Sequence, residues 1–289
     1  MPAIVPVFAD AALGARIDRA EGRLCARLAL AASPSPEAGG PFVVPISGGL
    51  AVFASRGSPA NKVIGVGFDG PLDLEVLADI EERWTARQEP VRVELSILTE
   101  PGAVAALTAR GYRLHGFENV LGAPLANAPT PETYGEITTE VIGREGFREW
   151  FNVAVESFAN MDGSGSTADP EMSREELVRV LGELTGPDVL DGMTRYLARV
   201  DGEPAGEAAL NVDNQLAYLA GSGTVPRFRG RGVQKALISR RLADAGQQGC
   251  DLAVVVTAPG TRSQGNVMRR GFQLLYTRAI LIAPADNRS

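Results

Sequence analysis

Histidine occurs once in this chain, at His115, and cysteine twice, at Cys25 and Cys250. Metal centres, histidine-based triads and disulfide frameworks therefore have almost no material to be built from, and both cysteines are expected as small buried residues. No apolar run reaches the roughly 20 residues needed to cross a bilayer, and the opening Met-Pro-Ala-Ile-Val-Pro-Val has no cationic lead of the secretory kind. A cytoplasmic protein with no membrane partner is expected. Aromatic residues are scarce at 6%, and the net charge is -7. An arginine-rich face without interleaved aromatics, in an acidic chain, argues against nucleic acid as a partner.

What is present is a globular composition, 45% hydrophobic and 22% charged over 289 residues, enough for two domains of middling size. Asp10 to Ala32 carries Leu13, Ile17, Leu24 and Leu28 on one helical face. Three short apolar runs, 42–44, 50–54 and 62–66, read as a meander. Helix 73–84, strand 91–98, helix 102–109 and strand 112–121 follow, and then a linker marked by Pro124, Pro129 and Pro131. At a shift of 160 residues the plan returns: Leu107-Thr-Ala-Arg-Gly-Tyr-Arg-Leu aligns with Val267-Met-Arg-Arg-Gly-Phe-Gln-Leu. Two copies of one α/β fold are expected, over 1–125 and 135–283, each a mixed, mostly antiparallel sheet flanked by helices. Within the second copy, strand 138–141, helix 145–158, helix 172–184 and a hairpin about Asp201-Gly202 lead to a central strand, 215–224. The Gly-, Ser- and Asp-rich stretch 160–170 reads either as a plain connector or as a lid.

Directly after the central strand stands Val-Pro-Arg-Phe-Arg-Gly-Arg-Gly-Val-Gln-Lys, residues 225–235, opening a helix. The first amides of a helix lack intrahelical partners and sit at the positive end of its dipole, and glycines let a ligand approach the backbone. From Asn214 to Ala285 the only carboxylates are Asp244 and Asp251, against Arg227, Arg229, Arg231, Lys235, Arg240, Arg241, Arg262, Arg269 and Arg270. A segregated basic surface of this kind asks for a polyanion; the plain alternative is a glycine turn before a solvated cationic helix.

The segment resembles the pyrophosphate-binding motif of the GCN5-related N-acetyltransferases (GNAT), Arg/Gln-x-x-Gly-x-Gly/Ala after a Val-x-Pro-like strand end. Val225 and Pro226 set the register Arg229, Gly232, Gln234, with Gln where the family has Gly or Ala. An earlier register, Arg227, Gly230, Gly232, fits the letters but sits wrongly against Pro226. Residues 262–272, Arg-Ser-Gln-Gly-Asn-Val-Met-Arg-Arg-Gly-Phe, are similar to the family's helix that closes on the pantetheine arm. There Ser263 takes the Ser/Ala place and Val267 the place of a frequent tyrosine acid. The resemblance covers 138–282 directly and 10–121 through the repeat.

It implies a tandem GNAT protein with a degenerate first copy, using acetyl-CoA as cosubstrate without a metal. The acceptor would be a primary amine on a small molecule or peptide. Backbone of Gly223, Thr224 and Val225 would polarise the thioester carbonyl. Arg229, Gly230, Arg231, Gly232, Val233, Gln234 and Lys235 would hold the pyrophosphate, and Ser263 and Asn266 the pantetheine or adenosine end. Glu207, on the strand beside the central one, is the candidate base, and Tyr276, just past the Gly-Phe pair, the candidate acid. A CoA-binding sensor or assembly module without turnover is the alternative. Under Arg229 to Gly232 the shift places Asp69, Gly70, Pro71 and Leu72, which predicts a single CoA site per chain. Acceptor identity and oligomeric state are left open by the sequence.

Overall fold

The computed structural model describes residues 6–31, 40–125, 130–132, 134–160, 172–186 and 192–284, so the stretch read as connector or lid falls outside them except for Asn160. The chain divides into two compact units. One comprises Phe8–Val120 and the chain from Leu275 onward; the other comprises Leu121–Leu274 with the N-terminal residues up to Val7. The last strand thus completes the N-terminal unit, whereas the ranges 1–125 and 135–283 assign it to the second copy.

In the N-terminal unit α1 (Ala11–Ala31) is followed by β1 (Phe42–Ile46), β2 (Gly49–Phe53), β3 (Lys62–Ile64), α2 (Leu74–Thr85), β4 (Arg92–Ser96), α3 (Pro101–Ala109) and β5 (Arg113–Pro124), which leaves the unit at Val120. The strand order is β1-β2-β3-β4-β12-β5, with β12 (Gln273–Ile282) antiparallel to β4. Trp84, Leu77, Ile80, Leu95 and Leu107 fill its apolar core, with Phe42 set edge-on to Trp84 at 4.9 Å between ring centroids. The helix α1 departs from its apolar stripe. Ile17 and Leu24 are buried as expected, but so are Asp18 and Glu21.

Those acids belong to a dry ionic cluster. Lys62 Nζ lies 3.0 Å from Glu21 and 3.0 Å from Glu94, and Arg278 bonds Asp18 and Glu21, each at 2.6 Å. Mutual pairing is what allows so many charges to be buried.

In the C-terminal unit the elements are β6 (Ile137–Ile142), α4 (Phe147–Phe158), α5 (Arg174–Thr185), β7 (Met193–Val200), β8 (Glu203–Asp213), β9 (Leu216–Tyr218), β10 (Ser222–Thr224), α6 (Val233–Gln247), β11 (Leu252–Thr257) and α7 (Arg262–Met268). Here the order from the end of β5 is β5-β11-β9-β8-β7-β6, and β10 pairs with β8. The repeat holds at the level of elements: at a shift of 160 residues β3 falls on β10 residue for residue, and α2, β4, α3 and β5 fall on α6, β11, α7 and β12. One pairing differs between the copies. β3 runs parallel to β4, with Val63 opposite Val93, while its counterpart β10 pairs with β8.

Candidate functional site

The central strand of the C-terminal unit divides. β9 lies parallel to β11 through Tyr218 opposite Val254, and the Leu219 amide adds one bond to the Val254 carbonyl. Leu219 to Gly221 then bulge, with the Ala209 amide shared between the Ala220 and Gly221 carbonyls, and β10 follows β8 alone, Gly223 opposite Glu207. Two strands that pair at one end and part at the other leave backbone groups of β10 and β11 facing a gap. The strand expected over 215–224 is therefore two short strands; nothing in its composition marks the break except Gly221, held at φ 39°.

From Thr224 the chain makes a short 3-10 turn, Pro226–Phe228, and enters α6 through Gly230 and Gly232, both at positive φ (80° and 99°), which a side chain would strain. No side chain caps α6. Among the described residues the amides of Gly230, Gly232, Val233, Gln234 and Lys235 have no hydrogen-bond acceptor, whereas those of Arg229 and Arg231 turn back to Pro226 and Phe228. A Cβ placed at Gly230 would meet no atom within 4 Å, and at Gly232 only Ile137 at 3.6 Å, so the approach to these amides is open. Gly230, Arg231, Gly232 and Lys235 line a cavity of about 490 Å³ with Tyr134, Gly135, Glu136, Ile137 and Val200. This donor set fits a pyrophosphate.

Gln234 departs from the small residue of the resemblance without filling the cradle. Its side chain folds back on β10, accepting from Ser222 Oγ at 2.9 Å and donating to Thr224 Oγ1 at 3.1 Å. The cations are less free than their number implies. Arg229 bonds the Thr224 and Asn160 carbonyls, Arg231 pairs with Asp201 at 2.9 Å, Arg227 with Glu156, Arg240 with Asp244, and Arg270 with Glu132. Arg241 is not on the surface at all: it is 2% exposed and donates to the Leu237 and Ala209 carbonyls. Lys235, exposed on the cavity wall, has no ion-pair partner among the described residues. The segregated basic surface is thereby reduced: three of the eight arginines named pair with carboxylates outside the 214–285 window and Arg240 with Asp244 inside it, and Lys235 is left open over the row of amides.

Glu207 is 1% exposed on β8. Burial pushes its carboxyl up to about 7, against the Arg241 charge and the Gly223 amide, which lower it. Its Oε1 has no hydrogen-bond partner, and neither has Oγ of Ser157, a 2% exposed residue of α4. Of the backbone expected to polarise a carbonyl, the Val225 amide is committed to the Ala205 carbonyl and the Gly223 amide to the Glu207 carboxyl, which leaves Thr224. On α7, Ser263 is exposed in the first turn, Asn266 accepts from Arg269 at 2.5 Å, and Val267 is packed in the core.

Tyr276 is committed within the N-terminal unit. It lies on the part of β12 that belongs to the N-terminal unit, is 2% exposed and donates its hydroxyl to Asp18 at 2.6 Å. Burial raises its pKa well above the ordinary phenol value, and the adjacent Asp18 adds to the shift against the Arg278 charge. Its position next to a Gly-Phe pair gave no sign of the ionic cluster that claims it. Ser157 was missed in the other direction. Spaced with Trp150, Val153 and Ala154 on the buried face of α4, it carries a helical signal once that face is set by Trp150 rather than by Phe147 and Phe151.

Residues 165–272 match the family described as Acetyltransferase (GNAT) family. No curated protein matches the chain. Among solved structures, a GCN5-related N-acetyltransferase from Kribbella flavida superposes with a TM-score of 0.66 at 20% identity, over 94% of this chain and 96% of that one. A tandem GNAT protein from the clavulanic acid biosynthesis pathway gives 0.59 at 16% identity over 99% of both chains. A GCN5-related N-acetyltransferase from Sphaerobacter thermophilus gives 0.55 at 16%, over 75% of this chain and 69% of that one. At these identities the likeness is one of fold.

Proposed function

We propose, from the match of residues 165–272 to the acetyltransferase (GNAT) family, that the chain is an N-acetyltransferase moving an acetyl group from acetyl-CoA to a primary amine of a small molecule or peptide. The observation that carries this reading is the uncapped start of α6, where five neighbouring amides stand without acceptors directly after a divided strand. These amides and the Lys235 ammonium would hold the pyrophosphate, with Gln234 contributing its amide and not its side chain. When bound, acetyl-CoA supplies an activated thioester carbonyl. The residues of the chain do the rest: the gap between β10 and β11 orients the reactants, Thr224 offers its backbone toward the carbonyl oxygen, and Glu207 receives a proton from the acceptor. A carboxyl poised near neutral pH suits that task.

A second reading, a CoA-binding module without turnover, is favoured by one observation. Val267 is buried where the family often has its tyrosine acid, and the hydroxyl of Tyr276 is bonded to Asp18. Free thiol release from acetyl-CoA across a panel of primary amines separates the two. Release with any amine establishes transfer; tight CoA binding with no release across the panel leaves the module.

A further inference from the structure

Two orphaned oxygens converge inside the C-terminal unit. A Cβ placed on Gly223 would stand 2.9 Å from Ser157 Oγ and 2.9 Å from Glu207 Oε1, and 2.3 Å from Ser157 Cβ, so both oxygens flank one spot on β10, next to the bulge where the central strand divides. Neither atom has a hydrogen-bond partner, and neither is exposed to water. A hydroxyl and a carboxylate left unmatched in a dry place are each costly, and two at one spot point to a shared guest. That guest must donate to both. A primary ammonium has three N–H donors and one positive charge, which suits a carboxylate on one side and a hydroxyl on the other. The one charged side chain acting on Glu207 besides the guest is Arg241 of α6, whose donors go to the Leu237 and Ala209 carbonyls.

We propose that Ser157 is a catalytic residue: with Glu207 it receives the acceptor's ammonium group and relays its proton to that carboxylate. The inference rests on the acetyltransferase reading and deepens it. An ammonium N–H passes its proton to Ser157 Oγ as the serine's own proton passes to Glu207. The neutral nitrogen then forms the C–N bond to the acetyl carbonyl, the C–S bond breaks, and the sulfur takes the second proton from nitrogen. Glu207 returns its proton to solvent, so atoms and charge balance.

The test uses Ser157→Ala in the full chain. Alanine keeps the Cβ that packs on Gly223 and favours the helix, so the variant removes the oxygen alone. Two acceptors are compared near neutral pH: the primary amine that best supports thiol release, and a fluorinated analogue of it basic enough to attack but largely unprotonated in solution. Ser157→Ala should lower kcat for the first by about a hundredfold, should leave kcat for the analogue near wild type, because no proton then needs removal, and should leave CoA affinity unchanged. Equal slowing of both amines, or no slowing of either, overturns the relay while leaving acetyl transfer in place. Absence of thiol release by the wild type with every primary amine overturns the acetyltransferase reading and the relay with it.

Discussion

At the scale of single residues the pH dependence of Glu207 has a definite sign. Its carboxyl stands at about 7 in the folded chain against an ordinary 4.5, raised by burial and held back by Arg241. A raised folded value means that its contribution to stability is fully present below the unfolded value and is lost as pH rises through the folded one. Glu207→Gln cannot ionise. Its stability should match wild type at about pH 4 and exceed it by up to ~3 kcal/mol at about pH 8, read from urea denaturation at the two pH values. Thiol release should fall by about a hundredfold. A stability difference that does not change with pH would mean that the fold leaves the Glu207 carboxyl at its ordinary value. Tyr276 makes the opposite case. Its hydroxyl bonds Asp18 within a packed ionic cluster, so Tyr276→Phe should cost roughly 1–2 kcal/mol of stability and leave kcat unchanged. A fall in kcat at wild-type stability would return the tyrosine to the mechanism.

At the scale of elements, α2 and α6 are counterparts in the repeat with opposite starts. Asp73 closes α2 by accepting from the amides of Glu75 and Val76, each at 3.1 Å, whereas α6 starts at Gly232 with nothing over its amides. Asp73→Ala should therefore destabilise the chain by about 1 kcal/mol without touching CoA affinity. Lys235→Glu, on the open wall of the cavity, should weaken CoA roughly tenfold, most at low salt, with no change in melting temperature. Calorimetric titration and thermal melts check both, and equal effects of the two substitutions on CoA would remove the distinction. Helix periodicity, the glycine pair and the shift of 160 made these elements legible, because each is a local pattern. What stayed illegible depends on partners far away in sequence. Asp18 and Glu21 lie outside the apolar stripe of α1, and their burial is explained only by the distant Lys62 and Arg278. Arg241 reads as a surface cation until the Ala209 carbonyl meets it. The bulge at Leu219–Gly221 is set by β8 and β11 together, not by its own residues, and the passage of β12 into the N-terminal unit leaves no mark in composition.

At the scale of the whole molecule the two units descend from one plan and differ in what a ligand could use, and the stoichiometry of CoA binding follows. In the C-terminal unit β10 has parted from β11; in the N-terminal unit β3 remains paired to β4 at Val63–Val93 and Ile64–Glu94, so no divided strand is available. Where Ser222 presents a hydroxyl, its counterpart Lys62 is buried between Glu21 and Glu94. The loop before α2 replaces open amides with Asp69, which pairs with Arg19 at 2.5 Å, and with Pro71, which has no amide. Asp73 then occupies the helix end that a phosphate would need, and Glu75 and Glu82 add negative charge along the helix behind it, while Asp79 and Glu81 are paired with Arg83 and Arg110. Each change opposes a polyanion independently, so restoring any one of them would not create a site. Titration of the full chain with CoA at low salt should give one site per chain, weakened in Lys235→Glu by a margin that shrinks as salt is raised, and unaffected by Asp73→Ala. Two sites of comparable affinity, or a single site insensitive to Lys235→Glu, would mean that the phosphates are held somewhere other than the start of α6.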